Sequence, residues 1–260
     1  MRLILVFYAF AREVGTFKRR VVNPTPLAYK DLRGFHAVVG GKELSVIGHG
    51  IGRCRATETA RRAFDLMPGA ELAIGTGVVG ALVSGLKPGD LILADRILAR
   101  RADGEIAEQV TAIDEAHLGA IGRSLSAVGI NYSTGAILTT DRVLTVAEKR
   151  AAKDRDGAIA VDMESSAIAV EAAARRLPFI VLRAVLDEVD DEVAGAEAMA
   201  DDLGHVKPLA ATAYLMRNPG AVLKIPRMIR NLSLATTAIA NALEAIAHEG
   251  KSPAGNFRRR

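Results

Sequence analysis

A chain of 260 residues, half of them apolar and a quarter charged, can bury the core of a large α/β domain and has the composition of an ordinary globular protein. Without Trp and with only 4% aromatic residues it offers no stacking platform for single-stranded nucleic acid, and its net charge of +4 is modest and lies partly in the tail "KSPAGNFRRR". The single cysteine, Cys54, excludes an intramolecular disulfide framework and fits a reducing, cytoplasmic compartment.

Short apolar runs alternate with helical ones along the chain. "LILVFYAF" opens it; with its early Arg and Ala-Phe-Ala it loosely mimics an export signal, but it is short and cleavage there would delete a good strand. "LSVIGHG", "LAIGTG", "DLILADRIL", "YSTGAILTT", "AIAVDM" and "FIVLRAVLDE" follow as strands bounded by Gly, Asp or Pro. Between them, "CRATETARRAFDLM", "IDEAHLGAIGRSLSAV", "VAEKRAAKDR" and "SSAIAVEAAARR" read as helices, with Cys54 a small residue opening the first. The alternation predicts an α/β/α three-layer sandwich around a mixed central sheet, in one domain over residues 1–250, with a mobile tail at 251–260.

A helical extension at 203–248 differs from the rest. From Leu203 to Leu243 it holds no Asp or Glu but carries Lys207, Arg217, Lys224, Arg227 and Arg230. It reads either as a packed helix pair with a basic outer face or as a surface that meets anionic lipid headgroups or a greasy substrate. No run is long enough to span a membrane.

Three carboxylates stand at or near strand ends: Glu13, Glu164 and Asp187. Glycine-rich turns at 48–53, "GHGIGR", and 75–82, "GTGVVGAL", accompany them, and neither has the spacing of a dinucleotide fingerprint or a P-loop. In "AIAVDMESSAIA", Asp162 is a cap or helper for the following helix, and Glu164 is either a first-turn acid or a ligand group at a strand's carboxyl end. The five histidines (His36, His49, His117, His205, His248) have no ligand spacing with one another, so no metal is implied. His49 reads as structural, although it precedes a turn that could approach a pocket.

The blocks "SVIGHGIGRCRATETA", "LAIGTGVVGALVSGLKPGDLILAD", "AIAVDMESSAIA" and "FIVLRAVLDEVDD", in that order from about Leu3 to Asp191, resemble the purine nucleoside phosphorylase and methylthioadenosine/S-adenosylhomocysteine nucleosidase superfamily. The resemblance implies a nucleoside phosphorylase-like fold, a homo-oligomer with a dimer favoured, no cofactor, and cleavage of a purine N-riboside. Asp187 matches the general acid that protonates the base; Glu164 matches the carboxylate that accepts from the ribose 2′- and 3′-hydroxyls and should be ionised to do so. Met163 would pack on the sugar, and Arg183 matches an Arg near the nucleophile. Glu13 falls where nucleosidases keep the Glu that activates water, or is a solvated charge after a strand.

Phosphate as co-substrate stays open. The chain lacks the N-terminal Gly-Asp-Pro-x-Arg loop of many phosphorylases and has Gly75 and Val78 where some carry Arg and Ser, beside Gly77 in the same block. Arg53, Arg55 and Thr76 could still build a different anion site, and water is slightly favoured. Leu186 stands where methylthioadenosine nucleosidases usually show Ser, and Val143 near the position of an aromatic that covers the base, so the pocket is more apolar. With the basic, apolar extension, these traits are similar to the hopanoid-associated phosphorylase branch, which implies adenosylhopane as substrate and peripheral contact with the inner membrane face. A soluble methylthioadenosine/S-adenosylhomocysteine nucleosidase and a non-catalytic nucleoside-binding protein are the alternatives; Glu164, Asp187 and Arg183 together argue against the last, because binding alone needs no general acid.

Overall fold

A computed structural model describes residues 2–100, 108–111, 113–192 and 225–248. The elements run β1 (Leu3–Tyr8), α1 (Ala11–Arg20), β2 (Thr25–Pro26), β3 (Arg33–Val39), β4 (Lys42–Gly48), α2 (Arg53–Leu66), β5 (Ala70–Ala81) and β6 (Leu91–Ala99). They continue as β7 (Glu108–Thr111), α3 (Glu115–Ala127), β8 (Tyr132–Thr139), α4 (Val146–Asp156), β9 (Ala158–Asp162), α5 (Ser165–Ala174), β10 (Phe179–Asp187) and α6 (Ile225–Ala247). The mixed central sheet flanked by helices is the architecture the alternation predicts. The seven apolar runs supply β1, β4, β5, β6, β8, β9 and β10.

The sheet turns on β5. This strand runs parallel to β1 and β10 and, at its far end, antiparallel to β9 through Gly80 and Ala81. Because β10 also pairs with β6, the strands β5, β9, β8, β6 and β10 close on one another, while β1, β4, β3 and β2 extend from β5 as an open arm. The run 75–82, expected as a glycine-rich turn, is mostly strand: β5 continues through Ala81, with Gly77 bending it at φ +132°. Gly48–Arg53 is the tight turn that was expected, with Gly50 and Gly52 at φ +85° and +96°.

Register decides where side chains gather. Tyr8 aligns with Gly48, Phe7 with Gly75, and Arg183 with Gly77, so the carboxyl ends of β1, β4 and the middle of β5 lie side by side. Open α/β sheets bind ligands at that edge. Helix α5 begins there too; its Ser165–Ala169 face is buried, and the run of small side chains lets the helix sit close to its neighbours. Helix α4 is closed at its start by a reciprocal Thr145–Glu148 capping box and at its end by Gly157 at φ +65°.

The extension divides. Residues 203–224 lie outside the described residues, as does the tail at 251–260, while Ile225–Ala247 form α6. Most of α6 is core: Ala235, Ile239, Ala240, Leu243 and Ile246 are buried, and the helix packs on α1 and β10. Only its start presents Met228, Ile229 and Leu234 to solvent, beside exposed Arg227 and Arg230. Among the described residues no helix is long and apolar enough to cross a membrane.

Candidate active site

Glu13 is the third residue of α1, a helix that starts directly off β1 with Phe10 as its cap residue. Phe10 has no side-chain acceptor, so Glu13 does the capping itself. Its Oε2 accepts from the backbone N–H of Ala9 (2.7 Å) and Phe10 (3.1 Å), and Oε1 accepts from Val78 N–H (2.9 Å). The side chain is 1% exposed, which removes the solvated reading. Burial drives its pKa up, while Arg183 and the three amides pull it down, and the net direction is upward.

Arg183 is as deeply buried and lies across β5 from Glu13. Nη1 donates to Thr76 O (2.7 Å), and Nη2 donates to Asp162 Oδ2 (2.7 Å) and Ser165 Oγ (2.9 Å). Asp162 also accepts from Thr139 Oγ1 (2.8 Å) and from the backbone N–H of Ser165 (3.2 Å). It therefore caps the start of α5, as expected, and fixes Arg183 as well. Gly77 makes room for both side chains: a Cβ there would stand 2.4 Å from Glu13 Oε1 and 2.7 Å from Arg183 Nη1.

Glu164 closes the cluster from the N-cap position just before α5. It is 5% exposed and accepts from Gly52 N–H (2.8 Å), which ties it to the 48–53 turn. Burial, and then the charge of Asp162, push its pKa up to about 7. The ionised form expected of this acid is opposed by burial and by Asp162, and Arg183 and the Gly52 amide offset them only in part. Ribose hydroxyls would need the anion as acceptor. The acid limb of kcat/KM should accordingly lie near pH 7, and Glu164→Gln should shift it to the limb that Glu13 alone sets and lower kcat/KM by about 10²-fold, mostly through KM. Steady-state kinetics between pH 5 and 9 check both effects, and a variant with wild-type KM removes Glu164 from sugar binding.

Three buried polar atoms in this region have no partner among the described residues: Thr76 Oγ1, Arg183 Nε and His49 Nε2. His49 Nδ1 lies 2.6 Å from Gly50 O, and burial lowers its pKa to about 4, so the ring is neutral with its proton on Nδ1 and Nε2 is a bare acceptor. His49 is thus less purely structural than its sequence context suggested.

Asp187 stands at the end of β10, past a register shift at Leu186 that puts Asp187 opposite Gly80, with Oδ2 3.1 Å from where a Gly80 Cβ would be. Such bulges re-aim side chains beside functional sites. Its Oδ2 pairs with Lys149 Nζ, a residue of α4 that is 1% exposed and that sequence reasoning missed. Burial raises the Asp187 pKa against the pull of Lys149. No described contact joins Asp187 to the Glu13–Arg183–Glu164 cluster. Met163, Val78, Val143 and Leu186 are half-buried. Arg53 is not an anion ligand here: its guanidinium is taken by Asp141 and by Arg100 O (3.2 Å). Among the described residues no group of His, Cys, Asp or Glu could hold a metal.

The sequence pattern of the Phosphorylase superfamily matches residues 4–213. The 5′-methylthioadenosine/S-adenosylhomocysteine nucleosidase of Haemophilus influenzae is 26% identical over 194 residues, covering 70% of this chain and 84% of that protein. The nucleosidase of the same name from Neisseria meningitidis, solved with methylthio-immucillin-A, superposes with a TM-score of 0.72 at 22% identity over 95% of this chain and 99% of that one. The futalosine hydrolase of Helicobacter pylori gives 0.72 at 20% identity over 94% and 97%. A match over residues 4–213 covers most of the 260-residue chain, and the chain therefore belongs to the Phosphorylase superfamily.

Proposed function

We propose that this enzyme hydrolyses the N-glycosidic bond of a 5′-substituted adenosine and releases adenine. The relatives' names support adenosine-type cleavage, and one observation carries the choice of water over phosphate. Three backbone N–H groups, the donors an incoming phosphate would need, already face the fixed carboxylate of Glu13, and the nearby Arg183 is bound to Thr76 O, Asp162 and Ser165. A second anion there would meet a buried negative charge, whereas water can donate to the remaining lone pair of Glu13.

In the reaction the C1′–N9 bond breaks with its electron pair going to the purine, and Asp187 delivers its proton to N7. The sugar becomes cation-like, and Glu164 accepts from its hydroxyls and adds favourable negative charge. Water forms the new bond to C1′ and gives its proton to Glu13, whose pKa burial raises above the ordinary carboxylate value, making it a stronger base than a solvated acid. Glu13 is held by the three backbone amides, and Arg183, anchored by Asp162, offers its unpartnered Nε beside Thr76 Oγ1 and His49 Nε2 as polar contacts for the water. Solvent exchange returns Asp187 and Glu13 to their starting states.

For the 5′ substituent we propose a large hydrocarbon, with adenosylhopane as the leading case. Leu186 and Val143 make the pocket apolar, and Met228, Ile229 and Leu234 stand exposed at the start of α6 beside two arginines. Methylthioadenosine and S-adenosylhomocysteine are the second reading, favoured by the relative that is 26% identical. Adenine release from all three compounds, with and without phosphate, separates them. Adenosylhopane should give the highest kcat/KM with no phosphate dependence; faster turnover of methylthioadenosine reverses the substrate order, and a requirement for phosphate overturns hydrolysis.

A further inference from the structure

Helix α4 is polar nearly all round and buries two charged side chains: Asp156 at its end, paired with Arg100 and Arg155, and Lys149 near its start, beside buried Ala152. The ammonium has three donors, and each is used: one on Asp187 Oδ2, one on Glu188 O (3.0 Å) and one on Asp191 O (3.1 Å). Two carbonyl bonds would be enough to hold the turn after β10. The third donor is aimed at the carboxylate that carries the proposed acid chemistry, and no described residue bonds to the other oxygen, Oδ1.

An acid that gives up its proton in a buried site must remain there as an anion, and an unpaired buried anion is costly. We infer that Lys149 is a positioning residue for Asp187: it clamps Oδ2, leaves Oδ1 for the departing base, and stabilises the carboxylate left when the proton has gone. The inference rests on the reading of Asp187 as general acid. No net reaction is added: the proton passes from Oδ1 to N7 of the base, and the ammonium keeps its own.

The other charges near Asp187 are engaged among themselves. Asp191, which follows β10, accepts from Glu188 N–H (3.0 Å) and pairs with Arg227 of α6 (3.0 Å). Glu188 pairs with Lys87, from the β5–β6 connection, and with Arg227 (3.3 Å). Strand β5 brings only the Gly80 backbone to this point. The sign of the effect follows. The acid works while protonated, so activity falls as pH rises through its pKa. Removing the ammonium leaves burial and the charge of Asp191 acting alone, and the basic limb moves to higher pH.

The test measures pH–rate profiles of adenine release for the wild type, Lys149→Gln, Lys149→Met and Lys149→Arg, with thermal melting of each. Lys149→Gln keeps a donor for the turn without the charge; it should lower kcat about tenfold or more and raise the basic limb by about one pH unit. Lys149→Arg should restore the wild-type limb. If Lys149→Met does not fold, Lys149→Gln decides. A folded Lys149→Gln with an unmoved basic limb, whatever its rate, shows that the ammonium only holds the turn and overturns the inference. Asp187→Asn separates the two claims: if it stays active, the acid reading fails, whereas an inactive Asp187→Asn beside an unmoved Lys149→Gln limb removes only the role of Lys149.

Discussion

Asp187→Asn should lower the rate of adenine release by about 10²–10⁴-fold, the range that proton transfer to a leaving group supplies. Asparagine keeps an oxygen that can accept from Lys149, so the turn after β10 retains its three contacts and the protein folds. It has no proton acidic enough to deliver to the base. The binding of a non-hydrolysable adenosine analogue, followed by calorimetry, should change little, because the loss falls on kcat. Turnover within a few-fold of the wild type would take the acid role away from Asp187.

Glu13→Gln should be comparably severe, by about 10²–10⁴-fold in kcat, for a different reason. The carboxylate has two accepting oxygens facing Val78 N–H on one side and the Ala9 and Phe10 N–H groups on the other. A glutamine presents one oxygen and one NH₂, so a donor must face a donor on one side, and the base is lost. The misplaced amide should also lower the melting temperature by several degrees, since a buried unmade hydrogen bond costs about 1–3 kcal/mol. Added phosphate should not restore activity, because the glutamine side chain still occupies the amides that an anion would need. Differential scanning calorimetry and phosphate-dependent kinetics on the variant read both effects, and rescue by phosphate would mean that the Glu13 region accepts that anion.

Much of this was legible before any coordinates. The apolar runs predicted seven strands, and the "AIAVDM" and "FIVLRAVLDE" runs gave Glu164, Arg183 and Asp187 their places at the sheet's carboxyl edge. What was missed has physical causes. Helix α1 begins without a polar cap residue, because Glu13 reaches back to do the capping. Strand β3, "RGFHAVV", opens with Arg and Gly and lies near the sheet edge, so alternation is weak there. The run 75–82 looked like a turn because of its glycines; Gly77 is instead a strand residue whose missing Cβ makes room for Glu13 and Arg183. Lys149 was hidden because "VAEKRAAKDR" has the composition of a solvated helix, and no period marks a buried ammonium whose partners lie beyond β10. The upward push on the Glu164 pKa was not legible because burial, its largest cause, is a tertiary property.

The central claim is that water, held by Glu13 and Arg183, cleaves the bond between adenine and a 5′-substituted ribose. Turnover of adenosylhopane and of methylthioadenosine in ¹⁸O-labelled water, with phosphate present, tests it most directly by mass spectrometry of the sugar product. The account predicts adenine and a free sugar carrying one ¹⁸O at C1′, at a rate independent of phosphate. A sugar 1-phosphate without the label, or no adenine from either compound, would contradict it.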